Sequence, residues 1–202
     1  MLTIALPKGR IADETLDRFE KAFGEKFVFE DRKLILEKSG FKFLNVRNQD
    51  VPTYVMHGAA DLGVVGLDVL EEKEYDLIKL LDLKLGRCKV AFGLRAGEKL
   101  NFDKSKITIA TKHEKIAKKY FEQKAMAVEI IKLYGSIELA PLVGLCDCIV
   151  DIVETGETMK QNGLEVGPTI METTAHLIAN KNSFYAKKDL IFDLKDKLEN
   201  LS

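Results

Sequence analysis

The 202-residue sequence lacks the marks of membrane and secreted proteins. No apolar run approaches the roughly 20 residues that a membrane-spanning helix needs. The short apolar run at the N-terminus has no preceding basic residues and no small-residue cleavage site, so no targeting peptide is indicated. We therefore expect a cytoplasmic protein that does not bind membranes.

Cysteine and histidine are scarce, with three residues of each. The odd number of cysteines (Cys88, Cys146 and Cys148) fits a reduced compartment better than a disulfide framework. Cys146 and Cys148 would share one face of a strand, but no second ligand pair accompanies them at a spacing typical of zinc sites. We interpret the cysteines as structural thiols and expect no metal held by fixed protein ligands.

Neither sign of charge dominates, since 31 Lys and Arg residues face 32 Asp and Glu residues and the net charge is -1. Broad binding to nucleic acid needs a basic face, so this balance argues against a nucleic-acid partner. A small phosphorylated ligand is compatible with it, because a few amides and cations suffice to hold one.

Segments with strand and helix patterns alternate along almost the whole chain. A hairpin is predicted around Ser39-Gly40, a single long strand over 169–180 and a single long helix over 183–201. Such alternation predicts an α/β fold with mostly parallel sheets that are covered by helices on both faces.

Two connectors divide the chain, a polar stretch at 95–106 and Gly167-Pro168. They indicate an insertion, with one domain from 1–94 plus 169–202 and a second domain from 95–168. A cleft between two such lobes is the expected ligand site. A single domain is the alternative interpretation.

The segment 151–159 (DIVETGETM) carries the clearest chemical signal. A strand there runs directly into a turn and a helix, and the amides of a helix N-terminus attract phosphate. Gly156 lets a ligand approach the backbone, while Thr155 and Thr158 add hydroxyl donors. The alternative is an ordinary helix that is capped by Thr155 and has Glu157 in its first turn.

Two acids of this segment bear on the choice of ligand. Asp151 and Glu154 would repel an isolated phosphate, but carboxylates accept hydrogen bonds from ribose hydroxyls in dinucleotide-binding folds. An acidic pair followed by Thr-Gly-x-Thr therefore indicates a ribose-5-phosphate site.

The region 138–159 resembles the signature of the ATP phosphoribosyltransferase family. The matching residues are Glu138, Gly144, Cys146, Ile149, Asp151, Ile152, Thr155, Gly156, Thr158 and Met159. Cys146 departs from the pattern, which has Ala, Ser or Gly there, and a small apolar residue should alter only the packing. The stretches 6–11 (LPKGRI) and 45–72 resemble further blocks of the family, so the similarity runs nearly end to end.

Membership of this family would imply a two-lobed fold similar to type II periplasmic binding proteins. It would also imply transfer of the 5-phosphoribosyl group from phosphoribosyl diphosphate to N1 of ATP, the first step of histidine biosynthesis. The chain length resembles the short form of the family. That form works in a hetero-oligomer, expected to be a hetero-octamer around catalytic dimers, with a regulatory subunit that resembles histidyl-tRNA synthetase.

The resemblance also implies roles for individual residues. Arg47 and Arg32 are the expected catalytic cations, with Arg47 on the pyrophosphate, and Mg²⁺ is expected to arrive bound to substrate. The expected contacts to ATP or polyphosphate are Lys8, Gly9 and Arg10. The expected contacts to phosphoribosyl diphosphate are Glu138, Asp151, Glu154, Thr155, Gly156, Glu157 and Thr158.

Two other classes of protein compete with this interpretation. A solute-binding module of the same architecture would need a signal peptide or a fused DNA-binding element, and it has no use for a Thr-Gly-x-Thr turn. A salvage phosphoribosyltransferase usually has two adjacent acids before that turn, whereas here Ile152 and Val153 separate Asp151 from Glu154.

Overall fold

The structure is a computed structural model that describes residues 1–101 and 104–201. The chain divides into two compact units, Met1–Arg87 with Thr174–Ser202, and Cys88–Thr173. Part of the polar connector expected at 95–106, residues 102 and 103, lies outside the described residues.

The elements alternate between strand and helix, as the sequence pattern predicts. In chain order they are β1 (Leu2–Pro7), α1 (Arg10–Phe23), β2 (Ile35–Lys38), β3 (Phe41–Val46), α2 (Val51–Met56), β4 (Leu62–Gly66), α3 (Leu67–Lys73), β5 (Ile78–Asp82), β6 (Cys88–Arg95), β7 (Ile107–Thr111), α4 (Glu114–Glu122), β8 (Val128–Lys132), α5 (Leu139–Leu142), β9 (Cys148–Val153), α6 (Glu157–Gln161), β10 (Leu164–Thr173), β11 (Ala175–Ala179), α7 (Lys181–Ala186) and α8 (Lys188–Glu199).

The first unit is built on a six-stranded sheet in the order β2-β3-β1-β4-β11-β5. Strand β1 pairs in parallel with β3 and β4, whereas β2 and β11 run antiparallel to their neighbours. Successive residues of β1 point to opposite faces, so Ile4 and Leu6 pack with α1 and α8, and Ala5 packs with α2 and α3. Helices therefore cover both faces of this sheet.

The second unit is built on a five-stranded sheet in the order β10-β6-β9-β7-β8. Strand β7 pairs in parallel with both β8 and β9, and β6 runs antiparallel to β9 and β10. The side chains of α4 complete the core on one face of this sheet, and those of α5 and α6 complete the core on the other. The parallel strands end on one common edge, and this edge positions the candidate site.

The hairpin expected around Ser39-Gly40 is present. Strands β2 and β3 pair from Lys38 opposite Phe41, and both turn residues have positive φ, 51° at Ser39 and 81° at Gly40. Two positive φ values are typical of the tight turns whose twist matches that of a hairpin.

Three expectations need correction. Both sheets are mixed rather than mostly parallel, because returning strands such as β6 and β11 run antiparallel to their neighbours. The long strand expected over 169–180 is two strands, β10 and β11, which belong to different sheets. The long helix expected over 183–201 is interrupted at Lys187, which separates α7 from α8.

The unit boundaries also differ from those drawn on the sequence. Residues 88–94 and 169–173, which the sequence assigned to the first domain, form parts of β6 and β10 in the second unit. These two strands pair with each other in an antiparallel ladder, and that pairing, rather than the polarity of a connector, decides which unit they join.

Asp61 fastens the C-terminal segment to the first sheet. Its carboxylate accepts hydrogen bonds from Lys187 Nζ at 2.7 and 2.8 Å and from the Thr3 amide at 2.8 Å. Burial favours the neutral form of Asp61, but the hydrogen bonds from Lys187, Thr3 and Ser183 outweigh burial, so the pKa of this carboxyl lies below its ordinary value.

Replacement of Lys187 by Met should lower the free energy of unfolding by about 2 kcal/mol, because it leaves a mostly buried carboxylate without its cation. The folded-state pKa of Asp61 is depressed, so this contribution is complete above its unfolded pKa of about 4 and is lost as the pH falls through the folded value. Urea unfolding of Lys187→Met and wild type at several pH values measures the difference.

The control for this prediction is Lys33→Met, which removes an exposed pair with Glu30. Exposed pairs contribute little, so this variant should unfold like wild type. A Lys187→Met penalty that persists undiminished in acid would contradict the assignment to Asp61.

Candidate active site

The turn after β9 (154–158, the candidate cradle) is where the sequence predicts a phosphate site, and a glycine occupies its critical position. Gly156 precedes the first residue of α6 with φ 81°, in the left-handed region that favours glycine. A Cβ at this position would lie 2.8 Å from Cγ2 of Val166, so the backbone has no room for a side chain. The glycine is therefore required both by its conformation and by its packing.

No side chain caps the N-terminus of α6. The Thr155 hydroxyl accepts a hydrogen bond from the Glu157 amide, but the distance is long, 3.3 Å. Thr155 is thus not the residue at the cap position, contrary to the ordinary capped helix that was the alternative expectation. The first turn of a helix leaves its amides without partners inside the helix, and such amides can bind an anion.

Asp151 lies on β9 three residues before Glu154, and it is nearly buried. Its Oδ1 atom lies 2.9 Å from Nζ of Lys112 and accepts a hydrogen bond from the Ile152 amide at 2.7 Å. His113 is fully buried, with Nε2 3.9 Å from the same oxygen. Asp151 is thus held in place by its own strand and by the residues that follow β7.

Glu138 lies at the start of α5, the helix that covers the same face of the second sheet as α6. Its neighbours Ile137 and Ala140 are buried in one core cluster with Ile149 of β9 and Met159 of α6. The fold therefore places Glu138 on the sheet face that carries Asp151, although the two are 13 residues apart in sequence.

The other acids and hydroxyls of the cradle face solvent. Glu154, Thr155, Glu157 and Thr158 are exposed. Glu157 accepts a hydrogen bond from the Gln161 side chain at 3.0 Å, one turn further along α6.

A second group of candidate residues follows β1 in the first unit. The Lys8 amide donates to the carbonyl of Val46 at 2.8 Å, which ties the end of β1 to the end of β3. Gly9 has φ 95° and precedes α1, and Arg10, the first residue of α1, forms an ion pair with Glu14 at 3.5 Å. Parallel pairing thus brings the loop 8–10 beside Arg47 at the carboxyl ends of the two strands.

Arg47 follows β3 directly and is exposed. On either side of it, Oδ1 of Asn45 and Oδ1 of Asn48 are buried and find no hydrogen-bond donor within residues 1–101 and 104–201. Buried acceptors of this kind call for a donor from a ligand or from water. The sequence analysis missed both asparagines, and their positions next to Arg47 were the available signal.

Arg32 lies in the turn before β2 and is exposed. Because β2 runs antiparallel to β3, its first residue Ile35 lies opposite Leu44, and the Asn45 amide donates to the Leu34 carbonyl at 2.9 Å. The turn with Arg32 therefore lies on the same edge of the first sheet as Arg47 and the loop 8–10.

The cysteines do not share one environment. Cys148 packs with the residues of α4 on one face of the second sheet, whereas Cys146 packs with those of α5 and α6 on the other. The expectation of a shared face was wrong, because β9 begins only at Cys148. All three cysteines are free thiols, and burial raises the pKa of Cys148 to about 12.

Comparison with known proteins identifies the family. The profile of the HisG family, described as ATP phosphoribosyltransferase, matches residues 47–200. A Wolinella succinogenes protein named ATP phosphoribosyltransferase is 67% identical over 201 residues, which are 100% of this chain and 98% of that protein. A Helicobacter hepaticus protein of the same name is 59% identical over 98% of this chain and 97% of that protein.

The chain belongs to the HisG family of ATP phosphoribosyltransferases. Members of this family are pentosyltransferases that catalyse the first step of histidine biosynthesis. The family predicted from the residues of the cradle is thereby confirmed.

Solved structures agree with this assignment. The HisG:HisZ complex from Thermotoga maritima superposes with a TM-score of 0.85 at 36% identity, covering 99% of this chain and 98% of that one. A substrate-binding protein of an amino acid ABC transporter superposes with a TM-score of 0.63 at 13% identity, over 99% of this chain and 92% of that one. This second likeness confirms the periplasmic-binding-protein-like α/β fold, and HisG membership decides between the three candidate functions.

One charged residue that the structure brings to the candidate cradle lies outside the 138–159 signature. Lys112 follows β7 directly, as the Glu154–Thr158 turn follows β9, and it contacts Asp151. Its place after a predicted strand was the signal in the sequence.

No helix in the described part of the chain is long and apolar enough to cross a membrane.

Replacement of Gly156 by Ala should destabilise the protein more than replacement of Gly163 by Ala. Both glycines have positive φ, which costs an alanine about 1–2 kcal/mol. Only at Gly156 would the new Cβ also meet another side chain, Val166, which should add about 1–3 kcal/mol. Urea denaturation of both variants measures the two losses in the free energy of unfolding. Equal losses would show that the Val166 side chain moves aside to make room for the new Cβ.

Proposed function

We propose that this chain transfers the 5-phosphoribosyl group from phosphoribosyl diphosphate to N1 of ATP, with release of pyrophosphate and formation of phosphoribosyl-ATP. The observation that carries the proposal is the glycine turn after β9, which leads into a helix without a side-chain cap. Such a turn binds a phosphate through backbone amides. HisG membership supports the identity of the sugar phosphate.

The residues of this turn bind the 5-phosphate and the ribose. In the proposal, Thr155, Gly156, Glu157 and Thr158 surround the phosphate with amides and hydroxyls. The carboxylates of Glu138, Asp151 and Glu154 accept hydrogen bonds from the ribosyl hydroxyls. The near burial of Asp151 and the position of Glu138 on the same sheet face support these two roles.

The reaction needs no nucleophile from the protein. N1 of adenine already carries a lone pair, which attacks C1 of the ribose as the bond from C1 to the pyrophosphate oxygen breaks. The pair of electrons from that bond leaves with pyrophosphate, so the enzyme has to orient two anionic substrates and stabilise the charge on the leaving group.

Cations of the first unit provide this charge in the proposal. Arg47 and Arg32 act as the catalytic cations, and Arg47 binds the pyrophosphate bidentately through its guanidinium group. Lys8, Gly9 and Arg10 contact ATP or polyphosphate. Their common position along one edge of the first sheet supports a shared anionic ligand.

Magnesium belongs to the substrate in this proposal. No group of three or more His, Cys, Asp or Glu side chains placed to hold a metal occurs in residues 1–101 and 104–201. Mg²⁺ is commonly bound through substrate phosphates with few protein ligands, so the residues present fit an ion carried by the diphosphate. When bound, it would neutralise charge on the leaving group.

The proposal includes a regulatory partner. The similar Thermotoga maritima structure is a HisG:HisZ complex, and the superposition covers 98% of the matched chain in that complex. We therefore propose a hetero-oligomer with a subunit resembling histidyl-tRNA synthetase, assembled as a hetero-octamer around catalytic dimers. The free thiols and the need for ATP favour a cytoplasmic location.

The purified chain, mixed with Mg²⁺, ATP and phosphoribosyl diphosphate, tests the activity. Pyrophosphate release and phosphoribosyl-ATP are measured with and without the regulatory subunit. Formation of both products in equal amounts is expected. The absence of both products with the partner present would overturn the proposed function.

Replacement of Thr158 by Ala should raise the KM for phosphoribosyl diphosphate about tenfold, because a hydrogen bond to a charged group is lost. The KM for ATP should change far less. Steady-state kinetics with each substrate varied separately makes the comparison, and Thr169→Ala, an exposed threonine on β10, is the control. An equal rise of the KM for both substrates would contradict the assignment of this turn to phosphoribosyl diphosphate.

Replacement of Arg47 by Ala should lower kcat about a hundredfold, because the charge that develops on pyrophosphate loses its bidentate cation. Single-turnover and steady-state rates measure the loss. Lys42→Ala removes a cation on the same strand that pairs with Glu37, and it should leave kcat unchanged. An unchanged rate in Arg47→Ala would remove this residue from the mechanism.

A further inference from the structure

Lys112 lies at the carboxyl end of β7, where the fold aligns it with Asp151. The parallel register pairs Ala110 with Ile149 and Thr111 with Val150, so the next pair along is Lys112 with Asp151. Ala110 and Ile149 are buried in the core beneath α5 and α6. Side chains two residues further along lie on the same face, so Lys112 and Asp151 follow Ala110 and Ile149 on that face, and Val153 of the same core comes next along β9.

The contact between the two side chains is close and partly shielded from solvent. Nζ of Lys112 lies 2.9 Å from Oδ1 of Asp151, and the two side chains are 33% and 13% exposed. The Ile152 amide donates to the same oxygen. The closest approaches of Lys112 and His113 and the hydrogen bond from the Ile152 amide are all to Oδ1, which places Oδ2 on the side of the carboxylate away from these contacts.

We infer that Lys112 is a positioning residue for the phosphoribosyl site and acts through Asp151. It holds one oxygen of the carboxylate so that the other is presented to a ribosyl hydroxyl. The inference rests on the proposed function, because it takes 151–158 to be the phosphoribosyl site. It adds a residue that follows another strand, β7, and lies outside the 138–159 signature.

The charge around the cradle gives Lys112 a second effect. Three acids, Asp151, Glu154 and Glu157, lie within seven residues of one another along β9 and the start of α6. A dianionic phosphate would be repelled by these carboxylates, most strongly by one with little exposure to water. Lys112 neutralises the least exposed of the three, and the phosphate can then approach the amides of α6.

An ordinary structural ion pair is the competing explanation, and the same strand supplies its control. Lys106 immediately precedes β7 and pairs with Glu129 at 2.8 Å, with side-chain exposures of 58% and 51%. Lys106 and Lys112 thus flank β7 at opposite ends, each next to an acid, and only Lys112 is next to the cradle.

The test compares Lys112→Met, Lys112→Arg and Lys106→Met in the full chain, assayed with its regulatory subunit. Lys112→Met should raise the KM for phosphoribosyl diphosphate by about tenfold or more, because the carboxylate is misplaced and its charge is uncompensated. The KM for ATP should stay within about twofold of wild type. Lys112→Arg should recover most of the loss, and Lys106→Met should match wild type.

A second comparison separates positioning from general stability. If Lys112 acts through Asp151, the double variant Lys112→Met/Asp151→Asn should have the same KM for phosphoribosyl diphosphate as Asp151→Asn alone. The double variant has no carboxylate at position 151 that lacks its cation, so it remains informative even if Lys112→Met fails to fold. A clearly higher KM in the double variant would overturn the inference.

The remaining outcomes are also decisive. Equal behaviour of Lys112→Met and Lys106→Met, or an equal rise of KM for both substrates, would assign Lys112 a structural role only. Wild-type protein that forms no phosphoribosyl-ATP would instead overturn the proposed function. If the wild type is active and Lys112→Met has the wild-type KM for phosphoribosyl diphosphate, only the inference about Lys112 is overturned.

Discussion

Parallel pairing of β7 with β9 is the constraint on which the cradle depends. It brings the residues that follow both strands to one edge of the second sheet, where Lys112 meets Asp151 and the glycine turn begins. Beneath α5 and α6 the same pairing fills the face with small and aliphatic side chains such as Ala110 and Ile149. Asp151 lies between Ile149 and Val153 of this cluster, so the charged pair with Lys112 is set into an otherwise apolar face.

The first unit uses the same principle with cations. Parallel pairing of β1 with β3 sets the loop 8–10 beside Arg47, and the antiparallel strand β2 returns Arg32 to that edge. Beside these cations, the side-chain oxygens of Asn45 and Asn48 have no hydrogen-bond donor among the described residues. At the opposite edge of the sheet, the pair of Asp61 with Lys187 fastens the C-terminal segment to the amino ends of β1 and β4, the two central strands.

Much of the site was predictable because its signals are local. A strand, a glycine turn and a short helix follow one another in the segment 148–161. This order is compatible with a phosphate site or an ordinary capped helix, and the family signature around it favours the phosphate site. The reaction of the HisG family suits such a turn, because it requires oriented anions and supplies its own nucleophile. The charged partner of Asp151 was missed, since Lys112 is 39 residues away and only the strand register makes them neighbours.

The sequence by itself determined the α/β alternation, the hairpin at Ser39-Gly40 and the family, because hydrophobic period, turn residues and motif spacing are properties of neighbouring residues. Tertiary structure alone decided that β10 and β11 join different sheets, that β6 belongs with the second unit, and that Cys146 and Cys148 pack in separate cores. It also decided that Lys112 stands beside Asp151. These outcomes depend on which distant strands pair and in what register, and hydrogen bonds between distant strands leave no periodic trace in either strand.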